Sequence, residues 1–272
     1  MNYRHAFHAG NHADCLKHAL LHALLRLLLR KPAPLRVLDT HAGTGRYDLA
    51  AAEAQRTGEW RAGIGRLAEV ADGPLAEWLS LVRADGGYPG SPALAAAMLR
   101  AEDRLVLVEK HPEDHATLRR LFRADRRVAV HARDGWEAAR ALTPFPEKRG
   151  LLLMDPPFEA GDDFARMAAT MAEVARRARG HVQAGWYPIK GRAPVRAFHQ
   201  ALRDAGLRDL LACELHLREP TDAARLNGSG LVVMNPPWGF EAAARDILAA
   251  LHARLATGEA GGGWALERLA AE

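Results

Sequence analysis

An acid set between a short apolar run and two prolines is the stretch of this chain best suited to chemistry. Residues 151–158 read Leu-Leu-Leu-Met-Asp-Pro-Pro-Phe. The four apolar residues have the length and composition of a short buried strand. Pro156 and Pro157 cannot extend a ladder, so the strand stops and Asp155 stands at its carboxyl end. In open α/β sheets that end is where ligands bind. A carboxylate, the Pro156 carbonyl and the Phe158 ring together suit a flat, amino-substituted ring. Its NH2 would rest on the two oxygens and its face on the aromatic. Asp155 is therefore the candidate catalytic group, with Pro156 and Phe158 as contacts to the ring.

A second constellation lies upstream. Leu35-Arg36-Val37-Leu38-Asp39 reads as a strand, and Thr40-His41-Ala42-Gly43-Thr44-Gly45 as a glycine-rich turn before a helix. The spacing is not Gly-x-Gly-x-x-Gly, and no Gly-Lys-Ser/Thr end makes it a P-loop. Asp-x-x-x-Gly-x-Gly is the layout on which S-adenosylmethionine sits, with Gly43 letting the backbone approach the ligand closely. A dinucleotide fold would place a ribose-binding acid about 20 residues further on. None stands there, so residues 46–90 are read as a mostly helical insertion. The acid comes instead at Glu109, after Leu105-Val106-Leu107-Val108, where it suits two ribose hydroxyls. A third strand, Val128-Ala129-Val130, leads to Asp134-Gly135, where an acid could take the adenine amino group of the cofactor.

These residues need a doubly wound α/β sheet to bring them together. Asn11 caps a helix running to about Arg30, its apolar face carried by Leu16, Leu20, Leu24, Leu27 and Leu28. His12, Cys15 and His18 share a side of it, but no fourth ligand or paired motif accompanies them, and no metal is expected. After Asp155 the pattern gives a helix over 162–179, a fifth strand over 181–188, a helix over 193–205, and sixth and seventh strands over 210–217 and 230–234. The last two are expected to be antiparallel neighbours, and Gly261-Gly262-Gly263 to lie in a final loop. Asn235-Pro236-Pro237-Trp238 repeats the acid-or-amide, Pro-Pro, aromatic pattern. It follows the seventh strand, expected at the far edge and out of reach of the glycine turn, whereas Asp155 follows the strand beside the first.

The 272 residues are 49% hydrophobic with a formal net charge of +4. That suffices for a sizeable core and permits an anionic partner without demanding one. No apolar run approaches the roughly 20 residues of a bilayer span, and no secretory layout opens the chain. Two distant cysteines make no disulfide framework and fit a reducing, cytoplasmic compartment. The polar, aromatic opening with Tyr3, Arg4, His5 and Phe7 has a nucleic-acid flavour.

With those residues in hand, the chain resembles the bacterial RlmJ family of 23S ribosomal RNA adenine-N6 methyltransferases over nearly its full length. The resemblance is carried by Tyr3-Arg4-His5, His8-Ala9-Gly10-Asn11-His12-Ala13-Asp14, Lys17-His18, Leu38-Asp39-Thr40-His41-Ala42-Gly43, Tyr88-Pro89-Gly90-Ser91-Pro92, Asp155-Pro156-Pro157 and Trp186-Tyr187-Pro188. Phe158 stands where Tyr is expected in much of the family; stacking survives that change, a hydroxyl contact would not. The resemblance implies a single domain over 1–272 with a Rossmann-like class I methyltransferase fold. Its sheet would be seven-stranded and mostly parallel, with a small inserted helical subdomain. It implies that Asp155 is the catalytic acid and that His18, His41, Ser91, Glu109, Asp134 and Gly135 contact S-adenosylmethionine. Tyr3 would touch the RNA with His5 and Lys17 nearby. The expected partner is 23S ribosomal RNA, bound by a monomer without a membrane. Two rivals share parts of the pattern: an amino methyltransferase acting on DNA or protein glutamine, and an RNA-binding protein with a decayed pocket.

Overall fold

The computed structural model describes residues 4–271. Asn11 opens the first helix, α1 (His12–Leu28), its side-chain oxygen accepting from the Ala13 and Asp14 backbone N–H groups. Those two donors have no partner within the helix, so the cap replaces water. Fifteen of its 17 residues are buried, including Asp14, Lys17 and His18. A helix buried nearly all round must be covered on several sides, and α1 lies between the sheet, α4 and α9.

The chain then runs through β1 (Arg36–Asp39), β2 (Arg46–Tyr47), α2 (Ala52–Thr57), α3 (Ala76–Ala84), β3 (Tyr88–Pro89), α4 (Ser91–Met98), β4 (Arg104–Val108), α5 (Pro112–Leu121), β5 (Val128–His131) and α6 (Gly135–Ala141). It continues with β6 (Gly150–Met154), α7 (Asp163–Arg177), β7 (Val182–Ile189), α8 (Arg192–Asp204), β8 (Leu210–His216), β9 (Gly228–Met234), α9 (Phe240–Leu255) and β10 (Gly263–Ala270). The expected insertion is present. β2 and β3 pair antiparallel and close off short helices between them, so the segment leaves and rejoins the sheet at one point.

The main sheet has the order β10-β8-β9-β7-β6-β1-β4-β5. From β7 to β5 every pairing is parallel. β9 runs antiparallel to both β7 and β8, and β10 antiparallel to β8. Successive residues of a strand face opposite sides. Leu151 and Leu153 therefore join the core under α1 and α9, and Leu152 and Met154 the core under α6, α7 and α8.

Two expectations are corrected. The sheet has eight strands, because β10 adds an edge; only Gly261 and Gly262 of the glycine run stay in the loop, and Gly263 starts the strand. The seventh strand, β9, is slotted between β7 and β8 rather than lying at the far edge. Asn235 is nevertheless far from the glycine turn, for a different reason. β9 runs against β6 and β7, so its carboxyl end is at their amino ends. Asn235 Nδ2 accordingly donates to the carbonyls of Arg179 (2.6 Å) and His181 (2.9 Å), just before β7. Among the described residues no helix is long and apolar enough to cross a membrane.

Candidate active site

At the carboxyl ends of β1, β4, β5 and β6 the connecting loops leave a cavity of about 1110 Å³. Its lining includes every site residue expected from the sequence except Tyr3, which lies outside the described residues.

The register places Asp155 one residue past the end of β6, beside β1, as the sequence required. Lys17 reaches it from α1, its Nζ 2.5 Å from Asp155 Oδ2 and 2.8 Å from Asp14 Oδ1. Lys17 is 4% exposed, so it is a buried bridge between two acids rather than a surface contact. Burial alone would lower its ammonium; Asp14 and Asp155 outweigh that and hold it well above the ordinary range. Asp14 is drawn the other way. Burial would raise its carboxyl, but His5 and Lys17 hold it well below its usual value. His5 Nε2 and the Gly10 backbone N–H each lie 2.9 Å from Asp14 Oδ2. The His5 ring also packs on Tyr47 at 5.0 Å between centroids. A continuous polar chain thus runs from the amino-terminal segment through Asp14 and Lys17 to Asp155.

Phe158 sits at φ 51°, a left-handed conformation that a bulky residue adopts only when its surroundings hold it there. Those surroundings are Phe164, with ring centroids 4.8 Å away, and Trp186 at 5.7 Å edge to face. The ring is half-buried on the cavity wall. Pro156 is buried beside it.

The other acids line the opposite wall. Glu109 stands directly after β4, held by the backbone N–H groups of Gly43 (2.8 Å) and His111 (2.7 Å), one on each oxygen. A carboxylate offers about four lone-pair sites, so acceptor capacity remains on both oxygens. Burial raises its carboxyl despite those bonds. Asp134 caps α6 through Oδ1, accepting from the Trp136 and Glu137 N–H groups, while the exposed Lys110 approaches Oδ2 at 3.1 Å. Gly43 takes φ 59°, and a Cβ there would lie 2.3 Å from the Tyr47 hydroxyl. Gly135 has a packing reason to be glycine: a Cβ would meet the Thr40 carbonyl oxygen at 2.3 Å and the His41 ring at 2.8 Å. That ring lies edge-on to Trp136. Burial keeps the imidazoles neutral, lowering His41 to about 4 and His18 to about 3. His18 Nδ1 lies 2.9 Å from the Tyr88 hydroxyl, and its Nε2 has no hydrogen-bond partner among the described residues.

Three residues carry roles that the sequence did not assign, although Asp39 was read there as the acid before the glycine turn. Asp14 anchors Lys17. Asp39, pushed up to about 6 by burial, accepts from Ser91 Oγ at 2.7 Å and from the His41 N–H at 3.2 Å. Trp186 supports Phe158. Asp14 lies three residues before Lys17 on one helix, a spacing that allows the pair, but nothing local points to Asp155, 138 residues away.

A parallel sheet extended by a hairpin whose second strand, β9, is inserted in reverse between β7 and β8, with a glycine turn and strand-end acids around one cavity, defines a class I methyltransferase. Residues 32–270 match the family described as RsmJ: Ribosomal RNA large subunit methyltransferase D, RlmJ, and the chain belongs to that family. It is 38% identical over 281 residues to the ribosomal RNA large subunit methyltransferase J of Haemophilus influenzae, covering 100% of each chain. The protein of the same name from Escherichia coli K12 is also 38% identical, over 97% of this chain and 98% of its own. The crystal structure of protein LPL1258 from Legionella pneumophila superposes with a TM-score of 0.88 at 31% identity, over 96% of this chain and 98% of that one.

Proposed function

We propose that this chain methylates the N6 amino group of one adenine in 23S ribosomal RNA, using S-adenosylmethionine and acting on free RNA before large-subunit assembly. The observation that carries the reading is Asp155, which shares a single cavity with Glu109 and the Gly43 turn.

The residues fit the cofactor. Glu109 is a pre-oriented acceptor for two hydroxyls, Asp134 retains acceptor capacity on Oδ2, and the 42–45 turn presents close-approaching backbone. Glu109, Gly43, His41, Ser91, Asp134, Gly135 and His18 would hold it, with Asp155 at its reactive end. When bound, S-adenosylmethionine supplies a methyl group on a cationic sulfur, activated for transfer to a weak nucleophile.

The chain's own residues then have three tasks. Phe158 stacks the base: leaving the helix costs a few kcal/mol, and stacking on an aromatic returns about 1–3 kcal/mol. An unpaired loop loses less on flipping, which favours RNA not yet assembled. Asp155 and the Pro156 carbonyl accept from the two N6 hydrogens. This favours a more tetrahedral nitrogen and stabilises the positive charge that develops there. Lys17 occupies Asp155 Oδ2 and so fixes the carboxylate with Oδ1 available to the amino group. After transfer Asp155 is placed to take the departing proton.

The test is transfer of labelled methyl to deproteinised 23S RNA, to assembled large subunits and to DNA, with digestion and mass spectrometry of the product. N6-methyladenosine at one position of naked RNA supports the reading. Transfer to DNA or protein alone discards the substrate and keeps the fold and cofactor. Asp155→Asn is expected to bind S-adenosylmethionine normally and to lose transfer by at least a hundredfold; near-normal turnover would remove Asp155 from the mechanism.

A further inference from the structure

The amino ends of the parallel strands, opposite the cavity, carry an arrangement the methyl-transfer reaction does not use. Trp238 is 91% exposed, far more than any other large hydrophobic residue described. It is not on a loose loop. Asn235, at φ 53°, ties the segment down through the Arg179 and His181 carbonyls, and its N–H donates to the Asp209 carbonyl at 3.0 Å. Pro236 and Pro237 stiffen the next two positions, and Phe240 is fully buried at the start of α9. An indole is thus held out into solvent from both sides.

The loops beside it are basic. Arg208 precedes β8, Arg179 precedes β7, Lys148 precedes β6, and Arg30 and Lys31 follow α1 on the way to β1. All five are exposed, and among the described residues none of their side chains makes an ion pair or hydrogen bond. Contacts show that the loops form one edge. Asn235 bridges those before β7 and β8, and Arg149, next to Lys148, donates to the Ala33 carbonyl at 2.6 Å. Acids on the same edge are already committed: Glu147 to Arg36, Asp103 to Arg100 and Asp209 to Arg268. From β8 to β1 is four strand steps in the sheet, about 19 Å at the usual inter-strand spacing. Helix carboxyl ends favour cations here, which accounts for basic residues but not for a rigidly presented indole among them.

An exposed aromatic ring amid uncompensated cations is the chemistry of single-stranded nucleic-acid contact, stacking one base while the cations follow the phosphates. We propose that this edge, centred on Trp238, is a second RNA-contact surface that holds the substrate at a distance from the reacting adenine. The proposal rests on the ribosomal RNA reading above.

The experiment compares wild type, Trp238→Ala, Trp238→Phe and the triple variant Lys148→Gln/Arg179→Gln/Arg208→Gln in steady-state methylation of deproteinised 23S RNA at several salt concentrations. Thermal melts and sedimentation accompany each. Trp238→Ala should raise KM for the RNA about tenfold, the upper range for one stacked base being higher, with kcat unchanged. Trp238→Phe should recover most of it. The triple variant should weaken binding and flatten the salt dependence, by about one unit of slope for each phosphate that is no longer neutralised. An unchanged KM in Trp238→Ala overturns the proposal, as does a change confined to kcat. A shift in oligomeric state with KM unaltered also overturns it and assigns the edge to a copy–copy interface. If wild type itself methylates DNA or protein and not RNA, it is the substrate reading that has failed.

Discussion

Lys17→Met isolates the role of the buried ammonium. Methionine keeps much of the side-chain length and removes the charge. In the folded protein one cation lies 2.8 Å from Asp14 and 2.5 Å from Asp155. Without it Asp14 retains His5 and the Gly10 N–H, both at 2.9 Å. Asp155 retains no other side-chain hydrogen bond among the described residues. Removing one partner of a buried pair costs about 3–5 kcal/mol. Asp155 lines the cavity, where water can replace the missing donor, so the low end applies. About 3 kcal/mol lowers Tm by about 6–12 °C for a chain of this size. The carboxylate then loses its fixed orientation, and a misplacement of about 1 Å in a catalytic group costs about a hundredfold in rate. The assay is kcat for methyl transfer at saturating RNA and S-adenosylmethionine, alongside a melt and direct cofactor binding. The double variant Asp14→Asn/Lys17→Met separates charge burial from catalysis. Removing the second charge should restore part of the stability and none of the rate. Turnover of Lys17→Met within threefold of wild type, or a double variant as active as wild type, would refute the reasoning.

Three further outcomes follow from the same geometry. His12, His18 and His41 are lowered by burial to about 4, 3 and 4. Each binds fewer protons folded than unfolded below about pH 6.5, so its stabilising effect is complete above that pH and is lost on acidification. At pH 5 the loss is about 2 kcal/mol for each, about 6 together. Asp39 acts oppositely: its raised carboxyl, at about 6, gains a proton in the folded state first and offsets about 1 kcal/mol. Urea midpoints should therefore fall steeply from pH 7 to pH 5; a flat profile would contradict the burial of neutral imidazoles. Gly135→Ala drives a Cβ against the Thr40 carbonyl, a backbone atom that cannot swing away, and should cost about 1–3 kcal/mol and weaken S-adenosylmethionine binding; calorimetric titration equal to wild type would show that the loop yields. Phe158→Leu should raise KM for RNA while cofactor affinity stays constant, since it removes the stacking face and not the acids; an unchanged KM would take Phe158 off the base-binding wall.

Parts of the molecule that depend on local pattern were legible in the sequence. The apolar runs ending in Asp39, Glu109 and Asp155 fixed three parallel strands and their carboxyl ends, because a parallel strand buried on both faces reads as a continuous apolar run. The insertion was legible through an acid arriving late. What was missed depended on pairing across the chain. Trp264–Ala270 contains Ala, Leu, Glu and Arg, all good helix formers. It is a strand because β8 would otherwise present an open edge, and Ala265 to Arg268 pair in register with Glu214 to Leu211. Lys17 was placed near the RNA only by the family resemblance; its acidic partner Asp155 is brought to it only when α1 packs over the sheet.

The two Pro-Pro segments show most directly where sequence stops and topology decides. Asp155-Pro156-Pro157-Phe158 and Asn235-Pro236-Pro237-Trp238 each end a strand with an oxygen-bearing side chain, two stiff residues and an aromatic. Locally either could seat an amino-substituted ring. β6 runs with β1, so Asp155 emerges beside the glycine turn and Glu109; β9 is reversed, so Asn235 emerges at the other end and spends its amide on two carbonyls. Their aromatic residues part in the same way. Phe158 is folded back onto Phe164 and Trp186 at the cavity wall, whereas Trp238 is left in solvent between basic loops. On the two proposals above, the first would bind the base that reacts and the second a base that does not. Strand direction, a property of the whole sheet, is what separates them.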